Sequence, residues 1–132
     1  MTQGTSPSLK RPIVAGPGSP AISAVGTSLV VHEWTESGPS WVHVHRSDDE
    51  AWHVLDGSLR FRFADREVDA PAGTTVFVPA GVPHTYRVAA EPCRYLIFLT
   101  PRLGRLITRL HGLSDRSELR ATLAEFDSIL AE

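Results

Sequence analysis

The sequence holds a single cysteine, Cys93, and no apolar stretch approaching the roughly 20 residues of a membrane span. One cysteine allows no intramolecular disulfide and no cysteine-based zinc site, which fits a reducing compartment. The N-terminal MTQGTSPSLKRPIVAGPGSP contains no apolar run long enough for a secretory signal, so a cytoplasmic protein is expected. Charge of one sign is equally scarce. Thirteen Lys and Arg face fifteen Asp and Glu, for a formal net charge of −2 with histidine neutral, and no block of like charges stands out. Neither nucleic acid nor a membrane surface is therefore expected as a partner. No phosphate-binding glycine loop and no Ser-His-Asp arrangement points to other enzyme classes.

What is present suits one domain. The chain has 132 residues, of which 42% are hydrophobic and 21% charged, enough for a real core. Residues 1–21, rich in Gly, Pro and Ser, read as a flexible N-terminal arm, with Ile13 and Val14 as a β-like pair. From 22 to 100 short β-rich runs alternate with turn residues: SLVVHEW, WVHVH, AWHVL, SLRFRF, TVFVP, HTYRV and CRYLIFL. Such spacing predicts an all-β sandwich or barrel, and Asp56-Gly57 between two runs predicts a hairpin. The period then changes. Thr100 is placed to cap a helix with Pro101 at its first position, and Leu103, Leu106, Ile107 and Leu110 follow at helical spacing, with Gly112 placed for a left-handed stop. A second helix is expected from Ser114 or Asp115, with Leu119, Leu123, Phe126 and Leu130 on one face. Residues 101–132 thus read as a C-terminal helical extension, packed on the barrel's outside or on a partner subunit.

His43 and His45 stand two apart in a strand run, so both side chains leave one face and can converge on one ion. Glu50 follows a polar turn and opens the next run, where a hairpin returns it beside the histidines; Asp49 is the rival carboxylate. His84 opens a later strand, directly after Pro79-Ala80-Gly81-Val82-Pro83, whose prolines restrict the backbone before it. His32 and His53 read as ordinary strand residues, and alternation turns His53 outward while Trp52 and Val54 turn inward with Glu50. His111 reads as a helix-end residue, not a ligand. Arg60 and Arg62 alternate with Phe61 and Phe63 and mark an outer face or interface.

With Gly38, His43-Val44-His45, Glu50 and Gly57, then Gly73, Pro79, Gly81 and His84, the chain resembles the cupin family over about residues 22–100. Two departures stand out: the spacer from Gly38 to His43 is one residue short, and Val88 replaces the second motif's closing Asn. The resemblance implies a double-stranded β-helix, or jelly-roll, barrel with C-terminal α-helices. It also implies that His43, His45, Glu50 and His84 bind one divalent metal ion, with Fe, Mn, Ni and Zn all possible. Thr100-Pro101 followed by an amphipathic helix also resembles quercetinase-type single-domain cupins.

Trp41, Trp52, Tyr86 and Val88 share faces with the expected ligands and are candidates for a substrate pocket, or simply for barrel filling. The implied function is a metal-dependent dioxygenase or other oxidoreductase acting on a small oxygenated aromatic or enolic molecule, with Glu50 and Tyr86 as candidate catalytic residues. The alternatives are a non-catalytic small-molecule-binding cupin and a metal-assisted isomerase or hydrolase. A homodimer is expected, paired through sheet faces or swapped N-terminal strands.

Overall fold

The computed structural model describes residues 11–131. The first ten residues of the expected N-terminal arm lie outside that range, and residues 11–20 are exposed and form no strand. The first strand, β1, is Ser23–Val25, followed by β2 Val30–Trp34, β3 His43–His45, β4 Glu50–Phe63, β5 Glu67–Pro71, β6 Thr75–Val78 and β7 His84–Leu99. After the barrel come α1 Pro101–His111, a 3-10 turn at Arg116–Glu118, α2 Leu119–Glu125 and β8 Ser128–Leu130.

Two long strands organise the barrel. β4 and β7 run antiparallel along their lengths and bend together, so each contributes to two sheet halves. One half runs β1-β2-β7-β4-β6 and uses the first part of β4 and the last part of β7. The other runs β8-β3-β7-β4-β5 and uses the remaining parts. Between the halves lie Trp52, Val54, Leu59, Phe61, Tyr95, Ile97 and Leu99, all essentially without solvent contact. Alternation along β4 puts these apolar residues inside and His53, Arg60 and Arg62 on the other side, as period 2 requires.

Asp56-Gly57 does not form a hairpin. β4 passes straight through it, with register shifts against β7 between Val54 and Leu59. Gly57 has φ +73°, and a Cβ there would collide with the carbonyl oxygens of Ala90 and Pro92. A glycine at positive φ serves a bulge at a barrel corner as readily as a two-residue turn. The chain actually reverses at Ala64-Asp65, where Phe63 N–H donates to the Arg66 carbonyl over 2.8 Å. The returning strand, β5, escapes a hydrophobic reading because Glu67 and Asp69 face solvent and pair with Arg60 at 2.7 and 2.5 Å.

α1 begins as expected: Thr100 Oγ1 accepts from Leu103 N–H at 3.2 Å, and Pro101 occupies the first turn. Gly112, however, is right-handed at φ −89°, because the helix ends in tight bonds from Gly112 and Leu113 back to Arg109 and Leu110. The second helix is shorter than its apolar spacing suggests. Asp115 caps the 3-10 turn through Ser117 N–H, α2 stops at Glu125, and Asp127 takes φ +56° to turn the chain into β8. Leu130 is thus in a strand, not on a helix, because β8 pairs along β3 at His43↔Leu130, Val44↔Ile129 and His45↔Ser128. Backbone pairing with an open strand edge overrides a helical spacing that only side chains specify.

Candidate metal centre

His43 and His45 project from β3, Glu50 starts β4 and His84 starts β7 directly opposite His43. Their ligand atoms all lie within 4.8 Å of one another, and all four residues are buried. Asp49 is excluded from this group: it is exposed, and its Oδ1 accepts from Ala80 N–H at 2.9 Å, tying down the proline-rich turn before His84.

Each histidine is oriented through its Nδ1. His43 Nδ1 lies 3.3 Å from the Trp41 carbonyl and His84 Nδ1 lies 3.0 Å from the Val82 carbonyl. A carbonyl oxygen only accepts, so both Nδ1 atoms carry protons and both Nε2 lone pairs are left for the interior. His45 Nδ1 lies 2.8 Å from Ser128 Oγ. Glu50 Oε1 lies 3.1 Å from His84 Nε2 and 3.3 Å from His45 Nε2. Lone pairs from imidazole and carboxylate facing each other at that spacing repel unless a cation, either a proton or a metal, sits among them. Three imidazoles and one carboxylate are also a donor set that divalent transition metals accept. The residues present therefore fit a metal ion.

Electrostatics point the same way. Burial, reinforced by His84 and His45, pushes His43 down to about 3, so its imidazole is neutral at physiological pH. Burial alone would raise Glu50, but the contacts and charge of His45 and His84, whose Nε2 atoms face its Oε1 with a cation shared among them, outweigh it and hold the carboxyl at about 2. A neutral imidazole and an ionised carboxylate are the protonation states that ligate.

The site opens onto a cavity of about 680 Å³ between the barrel and the C-terminal helices. Trp41, Tyr86, Trp34, Tyr95 and Ile97 form barrel walls, while α1 adds Leu106, Ile107, Leu110 and His111. The helices thus help enclose the cavity as well as packing on the barrel. Trp52 and Val88 are not among the cavity walls. Trp52 is wholly buried, edge-on to Phe61, Tyr86 and His84, where it fills the barrel. His53 and His32 bind Thr75 and Ser23 hydroxyls, respectively, away from the cluster. His111 is outside the ligand cluster but lines the cavity, a placement that only the packing of α1 reveals.

Tyr95 Oη donates to the Glu36 carbonyl at 2.5 Å and lies 3.0 Å from Tyr86 Oη. Tyr95 therefore accepts from Tyr86, and the Tyr86 oxygen keeps accepting capacity for a further donor. Burial raises Tyr86 to about 12, so it stays a phenol.

The sequence profile of the cupin domain matches residues 30–99. The chain belongs to the cupin family. A cupin-2 domain protein from Shewanella frigidimarina is 26% identical, with TM-score 0.52 over 60% of this chain and 78% of that one. A cupin from Bacteroides fragilis superposes with TM-score 0.56 at 14% identity, over 70% of this chain and 85% of that one. A Streptomyces nucleoside dehydratase, also solved with uridine, gives TM-score 0.50 at 19% identity over 58% and 62%, a likeness of fold alone. No curated protein sequence matches the chain. No helix among the described residues is long and apolar enough to cross a membrane.

Proposed function

We propose that this cupin is a metal-dependent enzyme, of the dioxygenase type, acting on a small neutral organic molecule with an aromatic or enolic oxygen. One observation carries the reading: a three-histidine, one-carboxylate cluster forms part of the wall of an aromatic-lined cavity large enough for such a molecule. Nothing in that cavity's lining is a lysine or arginine, whereas Glu33, Glu36 and Glu50 are present. Apart from the ion itself, an anionic substrate would meet carboxylates with no lysine or arginine among the described lining residues to pair with, so a neutral one is favoured. Trp41, edge-on to His43 at 5.4 Å between centroids, offers a face on which a flat ring can lie beside the cluster.

His43, His45, Glu50 and His84 would hold the ion, which when bound supplies a Lewis-acidic, open coordination site and, for Fe(II), Mn(II) or Ni(II), redox chemistry. Glu50, already ionised, is placed to take a proton from a substrate hydroxyl. The Tyr86 oxygen accepts a hydrogen bond from that molecule and fixes its orientation, while the apolar residues of α1 keep water out. Oxygen uptake should occur with flavonols or diketones when the protein is loaded with Fe(II), Mn(II) or Ni(II), and not with Zn(II). No uptake with any metal across such a panel rejects the oxygenase assignment. Turnover with Zn(II) in the absence of oxygen would instead indicate a metal-assisted isomerase or hydrolase, and binding without turnover a sensing or storage module.

A homodimer is part of the same proposal. Strand register aligns Val31, Phe98, Ala51 and Phe77 in one row across the outward face of the first sheet half, and Phe77 is 61% exposed. Light scattering at micromolar concentration should return twice the chain mass.

A further inference from the structure

β3 carries two of the four ligands yet is only three residues long, and its pairing with β7 is the single step His43↔His84. Its full-length partner is β8, which lies well beyond the 30–99 segment matched by the cupin profile. Two further bonds extend the seam: Arg46 N–H donates to the Asp127 carbonyl and Ala131 N–H to the Val42 carbonyl, both at 2.9 Å. Within it, Ser128 stands directly opposite His45 and is buried.

The hydroxyl of Ser128 has two neighbours. It donates to the Phe126 carbonyl at 3.3 Å, and it lies 2.8 Å from His45 Nδ1. A hydroxyl has one proton, so with that proton on the Phe126 carbonyl the oxygen must accept from His45 Nδ1–H. The consequence falls on the other ring nitrogen. His45 Nε2 keeps its lone pair toward Glu50 and the cluster, as the backbone carbonyls ensure for His43 and His84. We infer that Ser128 is a positioning residue of the metal centre, holding His45 in the Nδ1–H tautomer and in the ring orientation that ligation needs. The C-terminal strand is then part of the site's construction, not an appendage to it. The inference rests on the metal reading for its affinity readout but not for its tautomer readout.

Two measurements on the full chain test it. Chelator competition with Zn(II) should show the ion binding about 10–100-fold more weakly to Ser128→Ala, and near wild-type to Ser128→Thr, which keeps the hydroxyl. Long-range ¹H–¹⁵N spectra of the imidazoles should show a slowly exchanging proton on His45 Nδ1 of the wild type, with or without Zn(II). An unprotonated Nδ1 in the metal-free protein, meaning Ser128 donates and His45 is Nε2–H, overturns the inference. So does equal Zn(II) affinity in wild type and Ser128→Ala. If the wild type binds no divalent ion, the metal reading fails and the Nδ1 proton alone decides the role of Ser128; if Ser128→Ala does not fold, the wild-type spectrum and Ser128→Thr still decide it.

Discussion

Replacing His43 by glutamine should flatten the acid-side loss of stability of the chelator-treated protein. The imidazole is 5% exposed and lies among His45, His84 and Glu50, and its value falls from 6.5 to about 3. A histidine with a depressed value binds fewer protons folded than unfolded, so acidification drives unfolding. Its contribution is present above 6.5 and is lost as the pH falls from 6.5 toward 3. Between pH 7 and 4.5 the difference amounts to about 2–3 kcal/mol, taking 1.36 kcal/mol per unit of separation. Glu50 adds nothing large in this window, because its loss begins only below 4.5 and runs down to about 2. Glutamine is of similar size and has no titrating group. Urea unfolding at pH 7 and 4.5 should therefore show a midpoint fall larger by about 1–2 M in wild type than in His43→Gln, for a slope near 1.5 kcal/mol/M. Parallel slopes in the two proteins would refute the picture of an imidazole forced neutral by burial and by its neighbours.

Further outcomes follow from other parts of the molecule. His84→Ala should remove most bound metal by elemental analysis, whereas His111→Ala should leave the content unchanged, since His111 lines the cavity outside the cluster. Gly57→Ala should cost about 3 kcal/mol, combining an αL penalty with backbone collisions, and lower the melting temperature by about 10 °C. Gly73→Ala, with a similar φ but open space, should cost only about 1–2 kcal/mol. Asp48→Ala should destabilise by about 1–3 kcal/mol in calorimetry, because it removes the buried carboxylate that receives Arg102 of α1 at 2.9 Å.

Features that depend on neighbouring residues were legible in the sequence. The alternation in WVHVH and AWHVL places His43, His45, Glu50 and Trp52 on inner faces, and the Thr100-Pro101 start of α1 is a local capping event. Features decided by partners distant in the chain were not. Asp56-Gly57 reads the same whether the strand reverses or bends, and only β7 passing alongside at Ala90–Arg94 makes it a corner. Leu119, Leu123, Phe126 and Leu130 satisfy a helical spacing, yet Leu130 answers to the free edge of β3. β5 hides because its outward carboxylates make sense only once Arg60 lies across from Asp69 in the neighbouring strand.

The same distinction divides the site. His84 is visible as part of a motif because it sits beside the turn that aims it: Asp49 binds the 79–81 turn, and the Val82 carbonyl fixes His84 from two residues away. His43 is likewise fixed from two residues away, by Trp41. His45 has no such local support; its Nδ1 partner is 83 residues distant. No motif spanning the barrel can contain that partner, and a serine in a C-terminal stretch carries no signal of its own. Among the contributions that sequence reading misses, Ser128 on His45 and the α1 face on the cavity come from the segment after Leu99, while Trp34, Tyr95 and Ile97 come from the barrel. In this cupin the barrel supplies the cluster that could hold a metal ion, and the C-terminal segment contacts it through Ser128 and helps enclose the adjoining cavity. Differences in chemistry between this chain and barrels with similar ligands should accordingly be sought after residue 99 rather than among the four ligands.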